Sequence, residues 1–134
     1  MTHGPRSRGT GAPSLFALTG LSNVTNSKNP LSLLEYASNL GYSTLLDAAA
    51  LATTSKISLS RTPVDAMAVS FYKMFGFPTG IGCLVAKKSF LRQLKRPWFA
   101  GGTVEVVQVP GIGFTSAQQI CEQFEVLFPF RFPN

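Results

Sequence analysis

The sequence predicts an α/β fold, a mainly parallel sheet with flanking helices. Three observations point there. Short continuous apolar runs recur at Leu15–Thr19, Thr44–Leu46, Ala66–Ser70 and Cys83–Ala86. Strands covered on both faces read as unbroken runs of this kind, whereas half-exposed strands alternate. Helix-period segments or helix-end signals separate the runs, and alternation of strand and helix is the order a parallel sheet needs. The chain also has 134 residues, 45% of them apolar and only 13% charged, against about 25% charged in typical domains. The length suits one domain, and the composition is too apolar for a disordered chain. So little charge is unusual for a small free-standing domain and resembles the interior of a larger protein.

Residues 1–12 are rich in Gly, Pro and Arg and read as a flexible lead. Leu15–Thr19 is a core-strand candidate, closed by Gly20 and the polar cluster Ser22–Asn29. Pro30 opens a helix with Leu31, Leu34 and Ala37 on one stripe and Ser32 and Glu35 on the other. Gly41 follows the last periodic residue, where a left-handed C-terminal cap belongs. Thr44–Leu46 is a buried strand that delivers Asp47 at its end. Ile57–Leu59 is brief and surface-like. Ala66–Ser70 is a strand that delivers Phe71, Tyr72 and Lys73, and Gly80–Gly82 turn the chain tightly into a strand at Cys83–Ala86. Ser89 can cap a helix running through Arg96, stopped by Pro97. Glu105–Val109 alternates weakly and reads as a last strand. Beyond Pro110 the periodicity fades, so residues 110–134 form a divergent tail.

Several function classes are disfavoured. Twelve Lys and Arg against six Asp and Glu give a net charge of +6. The excess base is scattered over Arg6, Arg8, Lys87, Lys88, Arg92, Lys95 and Arg96, with no helix or aromatic-basic motif of a nucleic-acid reader, so no nucleic-acid partner and no steep salt-dependent DNA binding are expected. Cys83 and Cys121 make no disulfide framework, and with a single His at position 3 they make no zinc site. No metal is expected. No apolar run approaches the roughly 18–20 residues of a membrane span. No acid precedes Glu35, and Arg6, Ser7 and Arg8 stand before Leu15–Leu18, which mimics a weak targeting signal, but the apolar piece is short and a core strand is the better reading.

Two strands end in polar residues that do not suit a core, Asp47 after Leu45-Leu46 and Lys73 after Ser70-Phe71-Tyr72. Ligands bind at the carboxyl ends of strands in open α/β sheets, so a carboxylate and a lysine delivered there can share one site. Each also has an ordinary reading. Asp47 can cap a helix, and Lys73 can be a solvated loop lysine.

The surrounding sequence is more specific. Ser70–Lys87 (SFYKMFGFPTGIGCLVAK) resembles the cofactor-lysine segment of fold-type-I pyridoxal-phosphate enzymes of the class V aminotransferase and cysteine desulfurase group. Within that group, Ser70–Gly76, Leu46–Ala50 and Lys95–Val104 (KRPWFAGGTV) resemble the aminotransferase-like domain of molybdenum cofactor sulfurases. The likeness runs over residues 13–109. It implies a partial fold-type-I transferase large domain with pyridoxal 5'-phosphate as cofactor. Tyr72 stands where desulfurases commonly carry His, and Ala50 where they carry Gln; both departures agree with the sulfurases.

By this resemblance Lys73 is the catalytic residue and holds the cofactor covalently through its amine, which must be deprotonated to attack an aldehyde. Asp47 pairs with the pyridinium nitrogen and keeps the ring protonated as an electron sink. Ser70 bonds the cofactor phosphate, Asn23 contacts the ring hydroxyl, and Tyr72 places a hydroxyl at the site rim. Gly76, Gly80 and Gly82 are structural. Trp98 reads most simply as an anchoring core aromatic, with a substrate-lining role as the alternative. The implied reaction takes sulfur from L-cysteine through an enzyme persulfide to the molybdenum cofactor, in the cytoplasm and without a membrane. Cys83, inside an apolar strand, reads as a buried structural thiol, and Cys121 lies in the divergent tail; neither is assigned as the sulfur acceptor.

Several features of that family have no counterpart in the sequence. They are the phosphate-binding turn, the residue that stacks on the ring, the acidic-Gly-Thr segment, the persulfide cysteine and the arginine for the substrate carboxylate. The expectation is therefore a truncated member whose surfaces want complementary segments or an oligomeric partner. Two other readings stay open, another class V enzyme recruited to a biosynthetic pathway and a catalytically inactive fragment. Apolar surface left uncovered predicts weak solubility or association, and sedimentation as a soluble monomer would contradict it.

Overall fold

The computed structural model describes residues 14–76, 80–95, 103–111 and 113–124. The lead at 1–12, the Arg96–Gly102 part of the Lys95–Val104 motif (with Trp98) and the Phe128–Pro133 segment lie outside them. The chain divides into two compact units, Met1–Phe90 and Leu91–Asn134.

The first unit is built on a four-stranded sheet in the order β1-β2-β3-β4, formed by Leu15–Thr19, Ser43–Asp47, Ala66–Ser70 and Gly82–Ala86. β1, β2 and β3 are parallel, with Thr19 opposite Asp47 and Asp47 opposite Ala68. β4 is antiparallel to β3, with Ser70 opposite Gly82. The sheet is therefore mostly parallel, as the apolar runs predict. The departure at β4 follows from its short connection, since a parallel return needs a crossover of a dozen or more residues. β1 is an edge strand of the described sheet, not a central one, and only Phe16 and Leu18 turn toward the core.

Helix α1 (Ser32–Asn39) joins β1 to β2 and buries Leu34 and Ala37, two of the three residues on the stripe read from the sequence. Its end is a Schellman motif: Tyr42 N donates to Ala37 O (3.1 Å), and Gly41 N donates to Ser38 O (2.9 Å) with Gly41 at φ +92°. The short α2 (Leu51–Thr54) joins β2 to β3, and α3 (Phe71–Phe75) follows β3 directly. Leu34 and Leu46 are fully buried and meet Leu21, Ala48, Leu51 and Val64 in one core. Gly20 is part of this packing, because a Cβ there would stand 2.7 Å from Leu51 Cδ2. Gly82 answers a backbone constraint, since its Cβ would stand 2.5 Å from Val69 O on the paired strand.

At the amino end of β3, Asp65 ties three strands together. Its Oδ2 accepts from Thr44 N at 2.8 Å and Thr44 Oγ1 at 3.3 Å, and its Oδ1 pairs with Lys87 Nζ at 3.0 Å. Its carbonyl accepts Lys87 N at 2.9 Å. Burial works against the charge of Asp65, but the hydrogen bonds from Thr44 and Lys87 and the lysine's charge outweigh it. They hold the carboxyl below its ordinary value of 3.8.

Two expectations need correction. Ser89 does not cap a helix. The helix α4 is the single turn Lys88–Leu91, which leaves Ser89 inside the turn and not before it. Cys83 is half-buried, not sequestered, because β4 has only β3 beside it in the described sheet.

The second unit contains an antiparallel pair, β5 (Val104–Val107) and β6 (Phe114–Ser116), with Thr103 and Ala117 buried at its base. The strand expected at Glu105–Val109 is found at Val104–Val107, and it is not the last, because β6 follows and pairs with it.

Leu46→Ala should lower the unfolding free energy by about 2–5 kcal/mol, as large-to-small changes at fully buried sites do; denaturant titration measures it. Asp65 should contribute stability that is present above about pH 4 and lost as pH falls through its lowered folded-state value. Asp65→Asn should flatten that acid limb in unfolding curves taken at successive pH values.

Candidate functional site

In a parallel sheet the chain leaves every strand at the same edge. β1, β2 and β3 therefore present Thr19, Asp47 and Ser70 together at their carboxyl ends, and the segments that follow bring Asn23, Ala49 and Lys73 to that edge. This is the edge at which open α/β sheets bind ligands. A shallow apolar hollow lined by Leu59, Pro63, Val64, Asp65, Val85, Ala86 and Lys87 lies at the opposite end of β3.

Asp47 is half-buried. Its Oδ1 accepts Ala49 N at 3.0 Å, holding the turn that leads to α2, and among the described residues its Oδ2 has only a long contact, 3.5 Å, from Thr19 Oγ1. Ala50, not Asp47, is the N-cap residue of α2, and it makes no side-chain capping bond. One carboxylate oxygen thus does local structural work, while the other keeps acceptor capacity. Ser70 ends β3 in an extended conformation, and its hydroxyl makes no capping bond to α3.

Lys73 is half-buried on α3, and its Nζ donates to Asn23 Oδ1 at 2.8 Å across 50 residues of sequence. The same Nζ lies 6.0 Å from the centroid of the Tyr72 ring, at the outer limit of a cation–π contact. Tyr72 itself is exposed. The chain turns away after Phe75 through Gly76 at φ +84°, a conformation that disfavours other residues, and Phe71 N donates to Ile81 O (3.0 Å) to close the loop.

Of the residues singled out from the sequence, Asn23 and Lys73 are in direct contact. Asp47, Ser70 and Tyr72 share the edge without bonding to Lys73 among the described residues. Sequence reasoning missed Thr19 and Asn29. Asn29 Nδ2 donates to Thr19 O at 2.7 Å and so holds the return limb of the Asn23 loop against the end of β1. The signal is the polar cluster Ser22–Asn29 directly after an apolar strand, of which sequence reasoning assigned Asn23 alone. Among the described residues no group of three or more His, Cys, Asp or Glu is placed to hold a metal ion, and no helix is long and apolar enough to cross a membrane.

This set of groups is an amine, a carboxylate, an amide and hydroxyls at the carboxyl edge of a mostly parallel sheet. Residues 10–123 match the aminotransferase class-V family model, and the chain belongs to that family. It is 36% identical over 115 residues to a molybdenum cofactor sulfurase of Caenorhabditis elegans, a match covering 86% of this chain and 16% of the relative. Two solved structures share the fold. A cysteine desulfurase from Thermococcus onnurineus NA1 has TM-score 0.65 and 29% identity over 84% of this chain and 28% of that one. The cysteine desulfurase CsdA from Escherichia coli has TM-score 0.65 and 31% identity over 78% and 26%. The chain thus spans about a sixth of the curated relative and about a quarter of each solved structure.

Proposed function

We propose that the carboxyl edge of β1–β3 holds pyridoxal phosphate, and that residues 13–109 form the cofactor-lysine part of a class V sulfur-transfer site. The observation that carries this is the 2.8 Å bond from Lys73 Nζ to Asn23 Oδ1, which directs the amine of a half-buried lysine at the strand edge where open α/β sheets bind ligands. When bound, the cofactor supplies a protonated pyridine ring that withdraws electrons from the carbon bearing the substrate nitrogen.

The residues divide the work as follows. Lys73 would hold the cofactor through its Nζ, and the same nitrogen would carry the proton at the substrate α-carbon. Asn23 would orient that nitrogen and offer its amide to the ring hydroxyl. Asp47 would offer Oδ2, the less engaged oxygen, to the ring nitrogen, while Oδ1 stays on Ala49 N and fixes the carboxylate's direction. Ser70 would donate its hydroxyl to the phosphate, and Tyr72 would stand at the rim. The likeness to a molybdenum cofactor sulfurase and to two cysteine desulfurases favours L-cysteine as the sulfur donor and the molybdenum cofactor as the final acceptor. No cysteine of this chain is assigned the intermediate sulfur.

Incubation with pyridoxal phosphate should give a visible absorbance band, and borohydride should trap the cofactor on Lys73, read by peptide mass spectrometry. Lys73→Ala should abolish both. Asp47→Asn keeps the Ala49 bond and loses the charge, so it should fold normally while binding the cofactor about 10–100-fold more weakly, the cost of a charge-assisted hydrogen bond. A band independent of Lys73, or trapping spread over exposed lysines, would defeat the reading.

A further inference from the structure

Asn23 reaches Lys73 from a ten-residue excursion, Gly20–Asn29, that is exposed over most of its length. An exposed loop holds a side chain in one place only if its own bonds do so. The tip is organised by Ser22, whose hydroxyl accepts both Val24 N and Thr25 N at 3.2 Å, and whose carbonyl accepts Asn26 N at 3.0 Å. Asn26 takes φ +56°, Ser22 N donates to Ser27 O at 3.0 Å, and Leu21 and Lys28 form an antiparallel bridge. The tip is therefore a small rigid body, and its aim depends on how its base is anchored.

The base is anchored through Asn29. Its backbone N donates to Gly20 O at 3.0 Å, its side-chain Nδ2 donates to Thr19 O at 2.7 Å, and Gly20 N donates to Asp47 O at 2.9 Å. One asparagine thus ties the return limb of the loop to the last residue of β1, and the next residue ties β1 to the carbonyl of the proposed ring-nitrogen partner. Pro30 follows and contributes no N–H, so the side chain of Asn29 supplies the donor that the chain lacks there. The other side-chain tie of this limb, Lys28 Nζ to Ser55 Oγ at 2.8 Å, reaches past α2 on a long flexible stem.

We infer that Asn29 is a positioning residue: without touching Lys73 it clamps the Gly20–Asn29 loop to β1 and so sets the Asn23–Lys73 contact. The inference deepens the reading of Lys73 as the cofactor-attaching amine and rests on it for its functional meaning, but the clamp is tested without cofactor. The probe is acetic anhydride at limiting concentration, with acylation of Lys73 measured by peptide mass spectrometry relative to exposed Lys56 in the same molecule. Asn23→Ala frees the amine and should raise the Lys73 rate about 2–10-fold, the range for one lost hydrogen bond. Asn29→Ala and Asn29→Asp should raise it to a similar extent, and Asn29→Gln, which restores an amide donor, should bring it back toward the parent rate. The double variant Asn23→Ala/Asn29→Ala should react no faster than Asn23→Ala alone, because both act through one contact.

Urea unfolding of each variant separates clamping from loss of fold. Asn29→Asp keeps the side-chain size and carries the test if Asn29→Ala does not fold. A Lys73 rate unchanged in the Asn29 variants, or rate increases that multiply in the double variant, would overturn the inference. Borohydride trapping on the same proteins keeps the two ideas apart. Coupled acylation with no trapped cofactor would sink the functional reading and leave the clamp standing. Trapping on Lys73 with acylation indifferent to Asn29 would do the reverse.

Discussion

Parallel pairing of three five-residue strands decides where every polar group of the site ends up. Once Thr19, Asp47 and Ala68 stand side by side in register, the chain must leave β1, β2 and β3 at one edge, and the next few residues of each are brought together there. A shift of one residue would exchange the two faces of β2, putting Leu46 where Asp47 is and removing a fully buried leucine from the core. Core packing and site assembly are therefore one constraint. Leu46 and Leu34 hold the register, and the register holds the carboxylate beside the strand that leads into α3 and Lys73.

The two ends of the sheet use their polar groups differently. At the amino end of β3, both oxygens of Asp65 are engaged, by Thr44 and Lys87, so that end has the character of a latch. At the carboxyl end the engagement is partial. Among the described residues Asp47 uses one oxygen well and the other weakly, Ser70 makes no capping bond, and Lys73 has one close hydrogen-bond partner. Polar groups with unused bonding capacity are poor contributors to stability and good contributors to binding, which sets this edge apart from the apolar hollow at the other.

Much of this was legible in the sequence where the physics is local. The spacing of Leu34 and Ala37 and the glycine at 41 depend on a helix and its own terminus, and both are found as read. Asp47 and Lys73 stood out because each breaks an apolar run at a strand end. What escaped depends on which segments become neighbours. Asp65 looks like any loop acid until β2 and β4 flank it, and Asn29 looks like a turn residue until its side chain meets the end of β1. Ser89 stands inside α4 and not before it, a shift of a residue or two at a helix end that local pattern does not resolve. β6 has three residues, too few for a period to show.

The choice of an amide at position 23 has a consequence of its own. A carboxylate beside an amine favours the ammonium form, which cannot attack an aldehyde. A neutral amide oxygen accepts from the nitrogen whether or not it carries the extra proton, so it orients the group without adding a countercharge. The acids of this unit agree with that division of labour. Asp65 is paired with Lys87 at the far end of β3, and Asp47 is bonded to Ala49 and Thr19, so among the described residues no carboxylate is bonded to Lys73. The edge thus carries a directed amine just beyond β3 and a directed carboxylate at the end of β2, which on the proposed reading leaves each available to a ring held between them.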